Sequence, residues 1–426
     1  MKRIQVEEQD LKVLASEKEG NNQTAYAKID HVVAKIIADV QEQGDEALQS
    51  YTAQFDQVEI NNIRVSEAEF TQAWNEVDPA FIEALIAAKK NIVQFHERQL
   101  EQSWLLDRGE GILLGQLVRP IERIGVYVPG GKAVYPSTVL MDTIPAKVAG
   151  CKRIVMVTPP NKDGKVNPYT LAAAKLVGVD EVYKVGGAQA IAALAYGTET
   201  IQPVDKIVGP GNIYVARAKK MVFGAVDIDM IAGPSEVCII ADEGANPAYI
   251  AADLLAQAEH DEMAVTTLIT TSPSMAAWVE QELEEQMSQL ERHEIIQKSL
   301  QSHGRIYIVK DLAKGFALMN EIAPEHLELM IQDPFQWIPK VQNAGAVFVG
   351  SYSPEPLGDY YAGPNHTLPT GGTARFSSPL GVYDFIKKSS VIYYNEQELA
   401  QAKEHIIRIA EQEGLTAHAN AIRIRF

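Results

Sequence analysis

From Ile121 onward the chain alternates short β-rich runs with helical periods, and this alternation limits the fold more than any other feature. IGVYVP leads into the helical STVLMDTIPAKVAG, RIVMVTPP into TLAAAKLVG, and EVYKVGG into AQAIAALAYG, before the strand-like DKIVGPGN. A second run joins EVCIIAD, PAYIAADLLAQAEH, AVTTLITT, PSMAAWVEQELEEQMSQL and RIYIVKD. Repeated strand–helix–strand units place crossover helices on both faces of a parallel sheet, so the pattern predicts an α/β protein with two such units. The residues before Ile121 are mostly helical by pattern, as in HVVAKIIADVQEQGDEALQSYTAQF, and are expected to pack around one of the sheets.

A chain of 426 residues with 46% hydrophobic content can bury more than one core. No apolar run is long enough to span a bilayer, and the start, MKRIQVEEQD, lacks the apolar stretch of a secretory signal, so a cytoplasmic protein with no membrane partner is expected. The 38 Lys+Arg stand against 56 Asp+Glu, a net charge of −18 that repels a phosphate backbone, and no basic patch offsets it. Nucleic acid is therefore not an expected partner. Cys151 and Cys238 lie near apolar strands, outside any C-x-x-C pair, and read as small buried hydrophobes in a reducing compartment.

Candidate chemistry gathers in a few places. Gln257 and His260 stand three residues apart at the end of a helix that Asn246 and Pro247 start, close enough to share one side. The segment SYSPEPLGDYYAGPNHTLPTGG, residues 351–372, has no sustained period and carries Asp359, Tyr360 and His366; long irregular loops in compact domains are usually functional. His418 follows Glu413 just beyond the last helix, whose start has capping-box spacing at Asn395 and Glu398. Singly, each of these groups reads as a polar side chain bonded to nearby backbone; together, Gln257, His260, Asp359 and His418 would make a four-ligand N/O metal site. In IAPEHLELM, Glu325 and His326 read as a helical first turn or a kink, where the helix dipole keeps an imidazole neutral and able to act as a base. The other five histidines, His31, His96, His293, His303 and His405, read as surface residues, and the final AIRIRF alternates like a strand.

Three glycine-rich turns close strand–helix units: VPGGKAVYPS, VGGAQA and VGPGN. Such turns bring backbone amides to a phosphate at a helix N-terminus. None completes the dinucleotide fingerprint, because Tyr214 stands where the third glycine after Gly209 and Gly211 belongs. AGPSEV is not a hydrolase elbow, since G-x-S-x-G fails at Val237.

Taken together, these blocks resemble the histidinol dehydrogenases. IDMIAGPSEVCIIADEGANPAYIAADLLAQAEH, residues 228–260, is similar to that family's signature almost throughout, and GVYVPGG, KVGGAQAIAALAYGT, VGPGN, IAPEHLEL, GDYYAGPNHTLPTGGTARF and EGLTAHANAI follow the family order over nearly the whole chain. The resemblance implies one zinc ion per subunit on Gln257, His260, Asp359 and His418, and an acid/base pair in Glu325 and His326. It implies substrate contacts at Ser235, Gln257, His260, Asp359, Tyr360, His366, Glu413 and His418, and NAD+ contacts at Tyr127, Gln189 and Asn212. The implied reaction oxidises L-histidinol to L-histidine with two NAD+. The implied fold is two incomplete Rossmann-like domains of the aldehyde dehydrogenase type, in a homodimer that exchanges terminal segments and shares its active sites. On this basis residues 1–23 are expected as an N-terminal arm, 24–126 with 236–380 as a first α/β domain holding zinc and the catalytic residues, 127–235 as the NAD-binding domain, and 381–426 as an exchanged helical tail. A zinc hydrolase working through a Glu325-activated water is the rival reading, and it requires no NAD+.

Overall fold

The computed structural model describes residues 1–6, 23–130 and 134–426. Residues 7–22 of the expected arm and 131–133 of the VPGGKAVYPS turn lie outside these. The chain opens with β1 (Lys2–Gln5). The long helical run is split at Gly44, whose φ of 55° suits glycine, into α1 (Gln23–Gln43) and α2 (Asp45–Phe55). α3 (Glu67–Glu76) starts on a capping box between Ser66 and Glu69, and α4 (Pro79–His96) starts on the Asp78 cap. β2 (Trp104–Asp107) and β3 (Ile112–Pro120) then pair antiparallel.

The first parallel sheet follows. β4 (Arg123–Tyr127), α5 (Pro136–Ala149), β5 (Arg153–Thr158), α6 (Pro168–Val177), β6 (Glu181–Lys184), α7 (Gly187–Tyr196), β7 (Lys206–Val208), α8 (Ile213–Val222) and β8 (Asp227–Ile228) make five strands in the order β6-β5-β4-β7-β8. The chain winds from β4 towards β6, then returns to β7 on the other side of β4. A crevice therefore opens beyond the carboxyl ends of β4 and β7, where open α/β sheets take ligands.

The second sheet comes from β9 (Glu236–Ala241), α9 (Pro247–Ala258), β10 (Val265–Thr270), α10 (Pro273–Met287), α11 (His293–His303), β11 (Arg305–Ile308), α12 (Leu312–Ile322), β12 (His326–Met330) and β13 (Ala346–Val349). Its order is β1-β11-β10-β9-β12-β13, all parallel, with β1 as the outer strand. Here the reversal falls between β9 and β12. After α13 (Glu355–Tyr360), β14 (Ile386–Tyr394) pairs with β3, and α14 (Glu396–Gln412) and α15 (Thr416–Arg423) end the chain. Among the described residues, no helix is long and apolar enough to cross a membrane. The α/β class with two parallel sheets is as expected, and Cys151 and Cys238 are both buried.

Five details depart from the sequence expectation. The helices before β2 belong with the five-stranded sheet rather than with residues 236–380. Val33, Ile36 and Val40 of α1 share a core with Val155, Val157 and Tyr183, while Leu85, Ala88 and Ile92 of α4 share one with Ile124, Val126 and Met156 on the opposite face. A parallel sheet buries both faces, and these helices complete the two layers that α5 to α8 begin. The boundary expected after residue 126 falls inside β4. The C-terminal tail is not helical throughout, because it begins with β14, and AIRIRF is not a strand: Ala419 of α15 is buried against Ile407 and Ala410 of α14, with Ile422 packed beside it, a helical spacing. His96 is fully buried, with Nδ1 2.8 Å from the Ile92 carbonyl, and is no surface residue.

Candidate active site

The reversal point of the six-stranded sheet brings together the starts of β9 and β12, with His326 in register with Val237. IAPEHLELM is therefore not helical at Glu325. α12 ends at Ala323 in a left-handed conformation (φ 51°), Pro324 stops any continuation, and HLELM enters the sheet as a strand buried along its whole length. Glu325 Oε2 accepts from the Glu236 N–H at 2.8 Å, and burial pushes this carboxyl well above the usual carboxylate range. His326 Nδ1 lies 2.9 Å from the Glu236 carbonyl. A carbonyl can only accept, so Nδ1 carries the proton and Nε2 keeps its lone pair; that Nε2 is buried with no partner among the described residues. Burial lowers the imidazole to about 4, so the ring is neutral through desolvation and not through a helix dipole. Ser235 is half-buried immediately before β9.

Gln257 lies in the last turn of α9, whose start Asn246 caps through the Ala248 N–H at 3.0 Å. Its amide is completely buried, and neither the oxygen nor the nitrogen has a hydrogen-bond partner among the described residues. A buried amide left unmade costs about 1–3 kcal/mol, so this side chain calls for a polar or metal partner. His260 sits in the turn beyond the helix, partly exposed. Asp359 is not in an irregular loop but on the short helix α13, one turn after Glu355. One atom from each of His260, Glu355 and Asp359 lies within 4.8 Å of the others, close enough to hold a metal ion. The donor set of one imidazole and two carboxylates fits a divalent cation such as zinc.

Glu355, which the sequence pattern does not single out, completes the cluster. It is 2% exposed, its Oε2 has no partner among the described residues, and its Oε1 lies 3.9 Å from His260 Nε2. Its own N–H donates to Glu328 at 3.0 Å, and burial, then the nearby Asp359, pushes its carboxyl well above the usual range. The only trace in the sequence is its place four residues ahead of Asp359, visible once that stretch is known to be helical. A cavity of about 440 Å³ opens beside the cluster, lined by His260, Asp359, Tyr360 and the apolar side of α4 at Leu85, Ala88 and Ile92. The α4 wall was also missed, because its apolar stripe reads as ordinary core. His366 is fastened above Asp359, with Nδ1 donating to the Asp359 carbonyl at 3.1 Å and Nε2 accepting from Thr138 at 3.3 Å.

Tyr127, Gln189 and Asn212 lie at the carboxyl edge of the five-stranded sheet. Tyr127 ends β4, and its hydroxyl accepts from the Gly187 N–H at 3.1 Å. Gln189, in the first turn of α7, is buried with both amide atoms unpartnered among the described residues. Asn212 caps α8 through the Tyr214 and Val215 N–H groups, which leaves its amide nitrogen for a ligand. Gly187 (φ 66°) and Gly209 (φ 111°) keep the floor of this edge open, since a Cβ on Gly187 would lie 2.6 Å from Gln189 Oε1. An extended ligand with hydrogen-bonding groups suits this edge.

Glu413 and His418 are not brought to the cluster within one chain. Both are exposed on the α14–α15 hairpin, which has a small core of its own.

Known proteins match the chain along nearly all of it. A model of the histidinol dehydrogenase family matches residues 19–426. Histidinol dehydrogenase from Oceanobacillus iheyensis is 58% identical over 398 residues, 93% of each chain, and that from Bacillus cereus (strain ATCC 14579) is 59% identical over 394 residues, 92% of each. The crystal structure of histidinol dehydrogenase from Elizabethkingia anophelis superposes with a TM-score of 0.93 at 40% identity, covering 100% of this chain and 98% of that one. A chain with this fold, this edge and this cluster, alike over its whole length to such proteins, belongs to the histidinol dehydrogenase family of NAD-dependent oxidoreductases.

Proposed function

We propose that this chain is a zinc-dependent L-histidinol dehydrogenase that oxidises L-histidinol to L-histidine through L-histidinaldehyde, the last two steps of histidine biosynthesis. It uses two NAD+ in turn and works in the cytoplasm as a homodimer. The observation that supports this most directly is the neutral, buried His326 with a bare Nε2. It stands next to Glu325, in a site whose metal-binding cluster opens onto a cavity. In this reading Gln257, His260 and Asp359, with the partner subunit's His418, hold one zinc per subunit. Zinc there supplies a Lewis-acidic anchor for the imidazole and amine of the substrate.

The chain's own groups then divide the protons. His326 Nε2 takes the hydroxyl proton of histidinol as the carbinol hydride passes to the first NAD+. Glu325 takes a proton from the water that adds to the aldehyde while His326 returns its proton to the carbonyl oxygen, giving the hydrate and a neutral imidazole again. His326 removes the hydrate's proton as the second hydride leaves for the second NAD+, and the carboxylic acid results. Ser235, Tyr360, His366 and the partner subunit's Glu413 orient the substrate, and Tyr127, Gln189 and Asn212 hold NAD+. Neither cysteine is needed: Cys151 and Cys238 are buried, and burial pushes the Cys151 thiol up to about 12.

The test is NADH absorbance with L-histidinol, with the histidine formed measured alongside. Two NADH should appear for each histidine. Chelator-treated protein should lose the reaction, keep its far-UV circular dichroism and regain activity with zinc. Full turnover by verified metal-free protein removes the zinc assignment, and turnover without NAD+ favours a hydrolase.

A further inference from the structure

Hydride transfer requires donor and acceptor carbons held about 3–3.5 Å apart, and misplacement by about 1 Å costs on the order of 10²-fold in rate. In this protein the residues proposed to contact substrate lie on the chain that follows β8, and those proposed to contact cofactor lie at the edge of the five-stranded sheet, so something must register one against the other. α5 lies between them. Three consecutive residues of the segment after α13 bond to one side of α5. Asn365 Nδ2 donates to the Met141 carbonyl at 2.7 Å, His366 accepts from Thr138 at 3.3 Å, and Thr367 Oγ1 donates to Asp142 Oδ1 at 2.7 Å. Asn365 also accepts from the Thr367 N–H at 2.8 Å, which locks the three together.

Asp142 is wholly buried, and its second oxygen, Oδ2, has no hydrogen-bond partner among the described residues. That oxygen faces the VGPGN turn. A Cβ added to Gly209 would lie 3.0 Å from Asp142 Oδ2 and 2.2 Å from the Tyr127 carbonyl, so the turn packs directly on both. Gly209 is itself held from two sides: its N–H donates to Asp229 at 2.8 Å, its carbonyl accepts from Lys219 at 2.9 Å, and Lys219 and Asp229 form a buried ion pair. The turn is thus a fixed object that Asp142 touches.

We propose that Asp142 is a positioning residue that registers the Asn365–Thr367 segment against the Gly209 turn and so sets the approach of substrate to cofactor. This rests on the reading that His366 meets histidinol and Asn212 meets NAD+. Burial pushes the Asp142 carboxyl up to about 8, so at neutral pH it is protonated and asparagine is its close mimic in shape and charge.

The experiment compares wild type, Asp142→Ala, Asp142→Asn and Thr367→Val as full-length, zinc-loaded protein. For each, kcat, both KM values and the primary isotope effect with carbinol-deuterated histidinol are measured, with thermal melts as a folding control. Asp142→Ala and Thr367→Val should lower kcat roughly 10- to 100-fold, with both KM values little changed. Their isotope effect should rise as hydride transfer becomes rate-limiting. Asp142→Asn should restore most of kcat and the wild-type isotope effect. Thr367→Val keeps the volume while removing the same hydrogen bond, so it decides the matter if Asp142→Ala does not fold. Wild-type kcat and isotope effect in Thr367→Val, or an Asn variant as impaired as the Ala variant, overturn the positioning role and leave the proposed function standing. A wild type that does not reduce NAD+ with histidinol overturns both.

Discussion

Glu325→Gln tests the division of labour at the centre of the mechanism. The carboxylate has one strong partner, the Glu236 N–H at 2.8 Å, and glutamine can keep that bond through its own oxygen. Replacing a charge-assisted bond by a neutral one costs about 1 kcal/mol, while removing a buried carboxyl relieves a desolvation penalty of comparable or larger size. Stability should therefore hold, and the melting temperature should not fall. The chemistry should respond far more. Loss of a general base typically slows a step ~10²–10⁴-fold, or about 3–5 kcal/mol at 1.36 kcal/mol per tenfold. Only the aldehyde step needs the activated water. Single-turnover NADH formation, started from histidinol and separately from histidinaldehyde, should show that whole loss in the second half-reaction, while the first, run by His326, stays close to wild type. Equal losses in both halves would refute the assignment of Glu325 to the water and make it a general support of the site.

Three further outcomes follow from the same geometry. Gln257→Leu removes a buried amide with no partner, so metal-free variant should melt higher than metal-free wild type, by roughly 1–3 kcal/mol in stability, while zinc no longer raises its melting temperature; a lower melting point in calorimetry contradicts this. His418→Ala and His260→Ala chains, each nearly inactive alone, should on unfolding and remixing give heterodimers with up to about half the wild-type activity, because one of two equivalent sites escapes both defects; purified heterodimers as inactive as their parents would place His418 in its own subunit's site. The last concerns pH. Asp142, raised to about 8 when folded, holds its proton more tightly than in the unfolded chain. The stability this gives is complete below the ordinary carboxylate pKa and is lost as pH rises through the folded value. Melting temperatures of wild type should thus fall relative to Asp142→Asn between about pH 5 and 9, and parallel curves would show that the group does not titrate there.

Local sequence determined a good deal of this protein. The alternation of strand and helix periods located β4 to β7 in one parallel sheet and β9 to β11 in the other, since period and composition are properties of a segment alone. Asn246 and Asn395 cap the helices they precede, and the glycines of VGGAQA and VGPGN open the turns where the backbone needs them. What the sequence left undecided is everything that depends on which segments become neighbours. IAPEHLELM reads as a helical first turn or a kink until Pro324 and the pairing of β12 with β9 make it a strand, and the neutrality of His326 then comes from burial that no local pattern announces. Helices α1 to α4 could have covered either sheet. His96 resembles a surface residue because its neighbours in sequence are charged, whereas its neighbours in space are not. Glu355 looks like one more loop carboxylate until α13 forms and turns it inward beside His260 and Asp359. The physical reason is common to all of these: periodicity reports which side of an element is buried, but the desolvation, hydrogen bonds and charge that make a site come from groups distant in sequence, and only their convergence in the folded chain sets them.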